Sequence, residues 1–359
     1  MDENKTKILN RYHVVFLVQN VMVGTSVLSL PNRLSSMGYS QWWMPLLFGV
    51  IANILLVAMV WLGLKYRNDT LFVIHEKIFG KWLGKTINII LLLYFIVVIA
   101  AVCTSYLELI QIVALVDRKI TGPLLVFLIL LIYIVGGGIK SIARFCIMTF
   151  FLMFGVIYFL KWGIVAGEIR HTMPMFNATA QEFFKAFKKG LMAIGGFELI
   201  SFYFPYIINQ KKAFKHASIG IWISMLITFL FTVVSVMFFS EWQLKNVLYP
   251  VLNLFKEVEL SFLERIDVLS ITLWLFLILS TVAAYLWVAK KGLDSIRSSP
   301  KKAHLYIIVV LVLVVVQFPF MQDFQKLLFE YVFYMMYVLF LWPVLLCIIH
   351  VLKPKRTRD

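Results

Sequence analysis

Continuous apolar runs of about 20 residues recur along the whole 359-residue chain. Examples, counted with their flanks, are the runs around 87–113, 124–135 and 307–318. A run of this length is what a helix needs to cross the hydrocarbon core of a bilayer. Strands of a membrane barrel would instead alternate apolar and polar residues over about ten positions. The runs therefore predict a bundle of membrane-spanning helices, an all-α integral membrane protein.

Composition agrees with this prediction and excludes a soluble enzyme. Hydrophobic residues make up 62% of the chain and charged residues 14%, against roughly 45–50% and 25% in soluble domains. The runs predict ten spans, at about 12–33, 43–64, 86–113, 122–137, 144–165, 189–208, 217–239, 266–289, 304–320 and 327–351. The longest connections, 166–188 and 240–265, are shorter than the roughly 50 residues of a small domain. We therefore expect one membrane domain over 1–359.

Basic residues sort by side of the membrane. With the N-terminus in the cytoplasm, 22 of the 34 Lys and Arg residues fall on the cytoplasmic side of the ten spans. This asymmetry is the positive-inside pattern of membrane proteins. It predicts that both termini are cytoplasmic, and it accounts for the formal charge of +16 without a nucleic-acid partner.

Chemistry based on cysteine or histidine clusters has no support in the sequence. Cys103, Cys146 and Cys347 all fall within predicted spans, and the six histidines are scattered near span ends. Neither set has the spacing of a zinc site. We therefore expect no metal and no cofactor. A membrane acyltransferase would need a cluster of His and Asp residues at one membrane face, and the sequence shows none.

An internal repeat relates the first and sixth spans. Gly24 precedes Ser29 by five positions and Gly196 precedes Ser201 by five, and a proline follows each serine within four residues. Because five spans separate the two copies, the second copy runs in the opposite direction through the membrane. This pattern predicts the inverted-topology repeats of secondary transporters, here about 12–165 and 189–351.

Both repeated motifs predict an interrupted helix. Glycine costs about 1 kcal/mol of helix propensity relative to Ala, and proline removes a backbone donor. We expect breaks at about 23–27 and 193–198. A broken helix exposes N–H groups that attract a carboxylate and C=O groups that attract an ammonium group, which suits a zwitterion. We therefore expect a bulky residue in place of Gly24 or Gly196 to block the ligand and to leave folding largely intact. The alternative is that these residues only permit kinks and close helix packing, as is common in membrane helices.

The residues around the two breaks resemble those of a known superfamily. The run Gly24-Thr25-Ser26-Val27-Leu28-Ser29-Leu30-Pro31 resembles the glycine-rich first-span signature of amino-acid permeases. The run Ala193-Ile194-Gly195-Gly196-Phe197-Glu198 is similar to their broken sixth span. The superfamily is that of amino acid, polyamine and organocation (APC) transporters. Within it, the chain length, the ten spans, the short tails and the opening Asn10-Arg11-Tyr12-His13-Val14-Val15-Phe16 resemble the B subunits of bacterial endospore germinant receptors, the GerAB-type spore germination proteins.

The resemblance implies a fold and a function. The fold is the LeuT type, with five-plus-five inverted repeats and discontinuous helices 1 and 6. The implied function is that of a subunit that binds a nutrient germinant, often an amino acid, and signals to A and C subunits in the spore inner membrane. An ion-coupled amino-acid transporter is the alternative. Proton-coupled relatives often carry a lysine in the middle of span five, whereas this chain has only Arg144 and Lys161 near its ends.

Candidate ligand-binding residues come from four spans. The candidates at the breaks in spans one and six are glycines and their neighbours. The candidates on span three are small residues that share one helix face, and the candidates on span eight form a polar group. They are Gly24, Thr25, Ser26, Ala101, Ser105, Gly195, Gly196, Phe197, Glu198, Ser280, Thr281 and Tyr285.

Some of these residues have a second interpretation. Glu198 can bind a ligand or a coupled proton, or it can cap the half-helix that follows the break. Ala101 and Ser105 can leave room for a ligand or let helices pack closely. The pair Ser280-Thr281 loosely resembles the hydroxyl pair that helps hold an ion in sodium-coupled relatives.

Overall fold

A computed structural model describes residues 7–114, 119–259, 265–317 and 322–352. Within these ranges the regular structure is helical, apart from one isolated bridge between Leu9 and Ile207. The α-helices are α1 Arg11–Met22, α2 Thr25–Arg33, α3 Met44–Lys65, α4 Leu71–Phe79, α5 Lys81–Val113, α6 Thr121–Gly136, α7 Gly138–Tyr158, α8 Leu160–Ala166, α9 Ala180–Gly190, α10 Ile200–Tyr203, α11 Ala213–Phe238, α12 Glu241–Asn246, α13 Pro250–Leu254, α14 Ile266–Ile296, α15 Ala303–Gln317 and α16 Gln322–Leu352.

Several of these helices are long and apolar enough to cross a membrane, and the protein is a multi-pass membrane protein. Among the described residues six qualify, namely Ser35–Lys65, Lys81–Val113, Gly138–Ala166, Gln210–Phe238, Ile266–Ile296 and Tyr334–Leu352. The pair α1 and α2 makes a seventh when the two are counted as one bent span. The apolar helices α6 and α15 are shorter, with 16 and 15 residues. Length and composition therefore support seven of the ten predicted spans.

The predicted break in the first span is confirmed. Helix α1 begins with a capping box, in which Asn10 Oδ1 accepts a hydrogen bond from the backbone N–H of His13 at 3.0 Å. It ends at Met22, and α2 continues from Thr25 at an angle of 49°. Gly24 between them has an extended backbone. Pro31 lies inside α2, so the chain breaks at the glycine and not at the proline.

The sixth predicted span contains only short helical pieces. A 3-10 turn at Leu191–Ile194 ends at Gly195, and a second turn at Phe197–Leu199 leads into α10. Between them Gly196 has a φ of 118°, a conformation that favours glycine. A Cβ atom there would lie 2.7 Å from the carbonyl oxygen of Val21. The break in segment six is therefore confirmed, and it packs directly against the end of α1.

The two broken segments run in opposite directions, as the sequence predicts. At one end, the N–H of Leu9 donates to the carbonyl of Tyr206 at 2.9 Å, and the N–H of Ile208 donates to Leu9 at 3.0 Å. At the other end, Arg33 Nη1 lies 3.3 Å from Met192 Sδ. The start of the first segment is thus next to the end of the second.

Helix α14 lies at the centre of the bundle and packs against α1, α5, α6 and α7. Its residues from Leu277 to Ala289 are all buried. Helix α5 packs extensively against α14 and also contacts α2. The packing of α5 and α14 places the predicted faces of spans three and eight beside the helix breaks.

Candidate ligand-binding site

A cavity of about 120 Å³ lies where the two breaks meet. Eight of the twelve predicted site residues line it: Gly24, Thr25, Ser26, Ala101, Ser105, Gly195, Thr281 and Tyr285. Val21 and Met22, at the carbonyl end of α1, line it as well. The volume is well below the roughly 300–1,000 Å³ of pockets for drug-sized ligands. A small molecule is therefore the ligand class that this space suits.

Four predicted residues do not line the cavity. Gly196 packs closely against the backbone of Val21. The ring of Phe197 is buried against Phe340, with ring centroids 5.3 Å apart. The hydroxyl of Ser280 donates to the carbonyl of Leu277 one turn earlier in the same helix.

Glu198, the fourth residue, joins segment six to α14. Its side chain is 1% exposed. One carboxylate oxygen accepts a hydrogen bond from the backbone N–H of Gly196 at 2.6 Å, and the other accepts from the Tyr285 hydroxyl at 2.9 Å. The first bond fits the capping interpretation, because it satisfies an N–H at the break. Through the second bond Glu198 holds Tyr285, which lines the cavity.

The hydroxyl pair on α14 is used in backbone contacts. Thr281 Oγ1 donates to the carbonyls of Asn20 and Leu277, each at 3.1 Å. Asn20 is in the last turn of α1, and its carbonyl also accepts from the N–H of Val23 at 3.2 Å, just past the end of the helix. Thr281 therefore connects α14 to the broken end of α1 by a hydrogen bond. Within the described ranges no group of three His, Cys, Asp or Glu residues has the geometry to hold a metal ion.

Arg33 is the most important residue that the sequence did not identify. It lines the cavity together with Ser29 and Tyr249. Its Nε donates to the hydroxyl of Ser29 at 3.0 Å, and among the described residues it forms no ion pair with a carboxylate. The four-residue spacing from Ser29 was visible in the sequence. Its position at the end of the first span made it look like an ordinary flanking charge.

A basic vestibule adjoins the cavity at Arg33 and Met192. It has a volume of about 410 Å³, and its other lining residues are Lys185, Lys188, Lys189, Tyr334 and Tyr337. The lysines lie on α9, which begins with a capping box between Thr179 and Glu182. A cleft lined by one sign of charge raises the local concentration of ligands of the opposite sign. The vestibule therefore favours anionic groups.

Comparison with protein families decides the relationship of the chain. A family model described as spore germination protein (Spore_permease) matches residues 8–325, which is most of the chain. The chain belongs to this family. Membership in the spore germination proteins confirms the resemblance that the chain length, the number of spans and the opening residues 10–16 indicated.

Individual spore germination proteins align over much of their length. GerQB of Bacillus cereus is 25% identical over 84% of this chain and 84% of its own. Spore germination protein B2 of Bacillus subtilis strain 168 is 27% identical over 72% of each chain. Spore germination protein A2 of the same strain is 24% identical over 99% of this chain and 100% of its own.

The fold of this spore germination protein is that of a transporter. It resembles the solved structure of Mhp1, a nucleobase-cation-symport-1 family transporter in a closed conformation with bromovinylhydantoin bound. The TM-score is 0.65 at 15% identity, over 90% of this chain and 75% of the other. Similarity at this identity concerns the fold. Together with the family it indicates a permease-like membrane protein and not an enzyme.

Proposed function

We propose that this spore germination protein is the B subunit of a germinant receptor, and that it binds a small nutrient such as an amino acid in the cavity between the two helix breaks. The observation that carries this proposal is the cavity itself, because eight of the residues that the sequence predicts to bind the ligand line one cavity. The family supports the role in germination.

The proposed architecture is one domain of ten spans in two inverted halves of the LeuT type. The opposite directions of the two broken segments support this arrangement, as does the likeness to a transporter fold. In it, α6 and α15 are the fourth and ninth spans, and residues 189–208 form the sixth. Both termini are cytoplasmic, and the membrane is the spore inner membrane.

The two ends of a zwitterion have separate partners in the cavity. Helix α2 starts at the cavity wall, and no side chain caps its first N–H groups. These amides, at the positive end of the helix dipole, can receive a carboxylate. The Arg33 guanidinium, at the other end of α2, lines the same cavity and provides a charged donor for a second anionic group, such as an acidic side chain of the nutrient. The ammonium group can bind at the carbonyl end of α1, near Val21 and Met22, and at the Tyr285 hydroxyl.

Signalling in this proposal uses the bond between Tyr285 and Glu198. A ligand can shift a conformational equilibrium only by its difference in affinity for the two states. Because Tyr285 lines the cavity and is bonded to the carboxylate that closes segment six, a ligand that moves Tyr285 also acts on segment six. The A and C subunits would receive this change as partners.

The test is ligand binding by the purified full-length protein. Thermal unfolding in detergent should be measured against the twenty amino acids and a few nucleosides, because a ligand that binds the folded state raises the unfolding temperature. We expect stabilisation by a small set of amino acids. Stabilisation by none of them, at millimolar concentration, would contradict an amino-acid site.

Transport is the second candidate, and the transporter fold favours it. Concentrative uptake requires coupling to an ion gradient. The hydroxyls of Ser280 and Thr281, which resemble the ion-holding pair of sodium-coupled relatives, donate to backbone carbonyls instead. In liposomes we expect binding without accumulation of the nutrient. Uphill uptake driven by sodium or protons would contradict the receptor proposal and favour a transporter.

A further inference from the structure

A second and larger groove lies between the first turns of α1 and α11, away from the nutrient cavity. Its volume is about 830 Å³. Arg11, Lys212 and Lys215 line its polar end, and Phe16, Ile219 and Ile223 line the rest. The hydrogen bonds between Leu9 and residues 206–208 fix the backbone at its edge.

The polar end of the groove is built for an anion. No carboxylate is among the described residues that line it, and none of its three basic side chains forms an ion pair there. Helices α1 and α11 both begin at the groove, so their positive dipole ends add to the charge. The Nδ1 atom of His216, another lining residue, is buried without a hydrogen-bond partner.

The apolar part of the groove extends along the membrane-facing surface. Ile223 is eleven positions after Lys212, which corresponds to about 16 Å along a helix. Ile219 between them is 41% exposed, and Phe16 packs against Phe150 beside it. A free phosphate would use only the basic end. An anionic headgroup with an acyl chain attached would use both ends.

We propose that this groove binds an anionic phospholipid, with its phosphate among Arg11, Lys212 and Lys215 and one acyl chain along Ile219 and Ile223. Basic pockets between membrane helices are known to recognise anionic headgroups. The site is independent of the nutrient cavity and of the receptor proposal.

The experiment is native mass spectrometry of the full-length protein in detergent, titrated with phosphatidylglycerol or phosphatidylcholine carrying palmitoyl and oleoyl chains. A third titration uses glycerol phosphate, which has the headgroup charge and no acyl chain. The test variant is Lys212→Ala with Lys215→Ala. The matched control is Lys211→Ala with Lys81→Ala, which removes the same charge from two exposed lysines outside the groove.

We expect the test variant to lose affinity for phosphatidylglycerol on the order of 30-fold, from the contribution of two basic residues near an anionic lipid. The control should lose less than about threefold. Ile219→Asn should weaken phosphatidylglycerol binding and leave glycerol phosphate unchanged, and Arg11→Gln gives a second test of the charge. Equal losses in test and control, equal binding of phosphatidylcholine, or glycerol phosphate binding as tight as the lipid would each overturn the proposal.

Discussion

Gly24 is the position where the cavity can be filled without disturbing the fold. Apart from its chain neighbours, a Cβ atom at Gly24 would have no heavy atom within 4 Å, and it would project from a residue that lines the cavity. The backbone of Gly24, with φ −103° and ψ −160°, is extended, a region that any L-residue can adopt. Replacement by a larger residue should therefore affect the ligand and not the helix break.

The size of the effect follows from the size of the added side chain. Gly24→Ala adds one methyl group to open space, and we expect a change in ligand affinity of about twofold or less. Gly24→Leu adds four carbons to a cavity of about 120 Å³. The ligand would have to share this space with the leucine side chain, and overpacking of that kind typically costs about 1–3 kcal/mol. The nutrient concentration for half-maximal response should therefore rise roughly 5–150-fold.

The assay is the nutrient response of spores that carry each variant, together with ligand-dependent thermal unfolding of the purified protein. Gly122→Leu is the matched control, since Gly122 also has open space around its Cβ position and is exposed, outside the cavity. The unfolding temperature without ligand should be similar in all of them. A Gly24→Leu protein that responds at the same nutrient concentration as the parent would refute this location of the site.

The structure changes the expectation for Gly196. From the sequence, a bulky residue at either Gly24 or Gly196 would be expected to block the ligand and leave folding largely intact. At Gly196 that expectation is wrong, because the positive φ and the carbonyl of Val21 at 2.7 Å leave no room for a Cβ atom. Substitution there disturbs the contact between the two breaks and does not separate binding from folding.

Three further predictions concern single contacts. Tyr285→Phe should lower the free energy of unfolding by about 1–3 kcal/mol, since it leaves the buried Glu198 carboxylate short of a donor; an unchanged thermal unfolding curve would contradict the importance of this bond. Arg33→Gln should weaken binding of an anionic nutrient roughly 10-fold or more, with partial recovery in Arg33→Lys, and equal affinity in all three proteins would exclude a role for the charge. Burial lowers the pKa of His75 on α4 from 6.5 to about 4, and its Nε2 accepts a hydrogen bond from Trp342 at 2.8 Å. The unfolded chain therefore binds the proton more readily, and the stability from neutral His75, complete above about pH 6.5, should fall as the pH drops toward 4. His75→Gln should flatten this slope in thermal unfolding, and an identical slope would show that other groups cause it.

Much of the fold could be predicted from sequence, because the relevant signals are local. An apolar run of sufficient length predicts a membrane helix wherever it occurs, and α3, α5, α11 and α14 lie close to the predicted spans. The breaks were predictable for a similar reason. Glycine weakens a helix at its own position, so Gly24 and Gly195 could be identified without knowledge of their neighbours.

Site residues could be predicted from sequence where they lie next to a helix break or on one face of a single helix, because that position alone determines whether they reach the cavity. Thr25, Ser26, Ala101 and Ser105 are of this kind, and all four line the cavity. Residue type alone did not decide between the two interpretations of Glu198. Its partner Tyr285 is 87 positions away, and the distance in sequence gives no sign of the contact.

Only the tertiary structure decided which polar groups line the cavity and which bond one helix to another. Ser280 and Thr281 are adjacent in sequence, yet one is bonded within its own helix and the other lines the cavity and fastens α14 to α1. Arg33 lines both the cavity and the basic vestibule, which brings it near Met192 and the α9 lysines. Sequence fixes the hydrophobic length and the weak points of each span, whereas the rotation and contacts of the helices follow from packing between residues far apart in the chain.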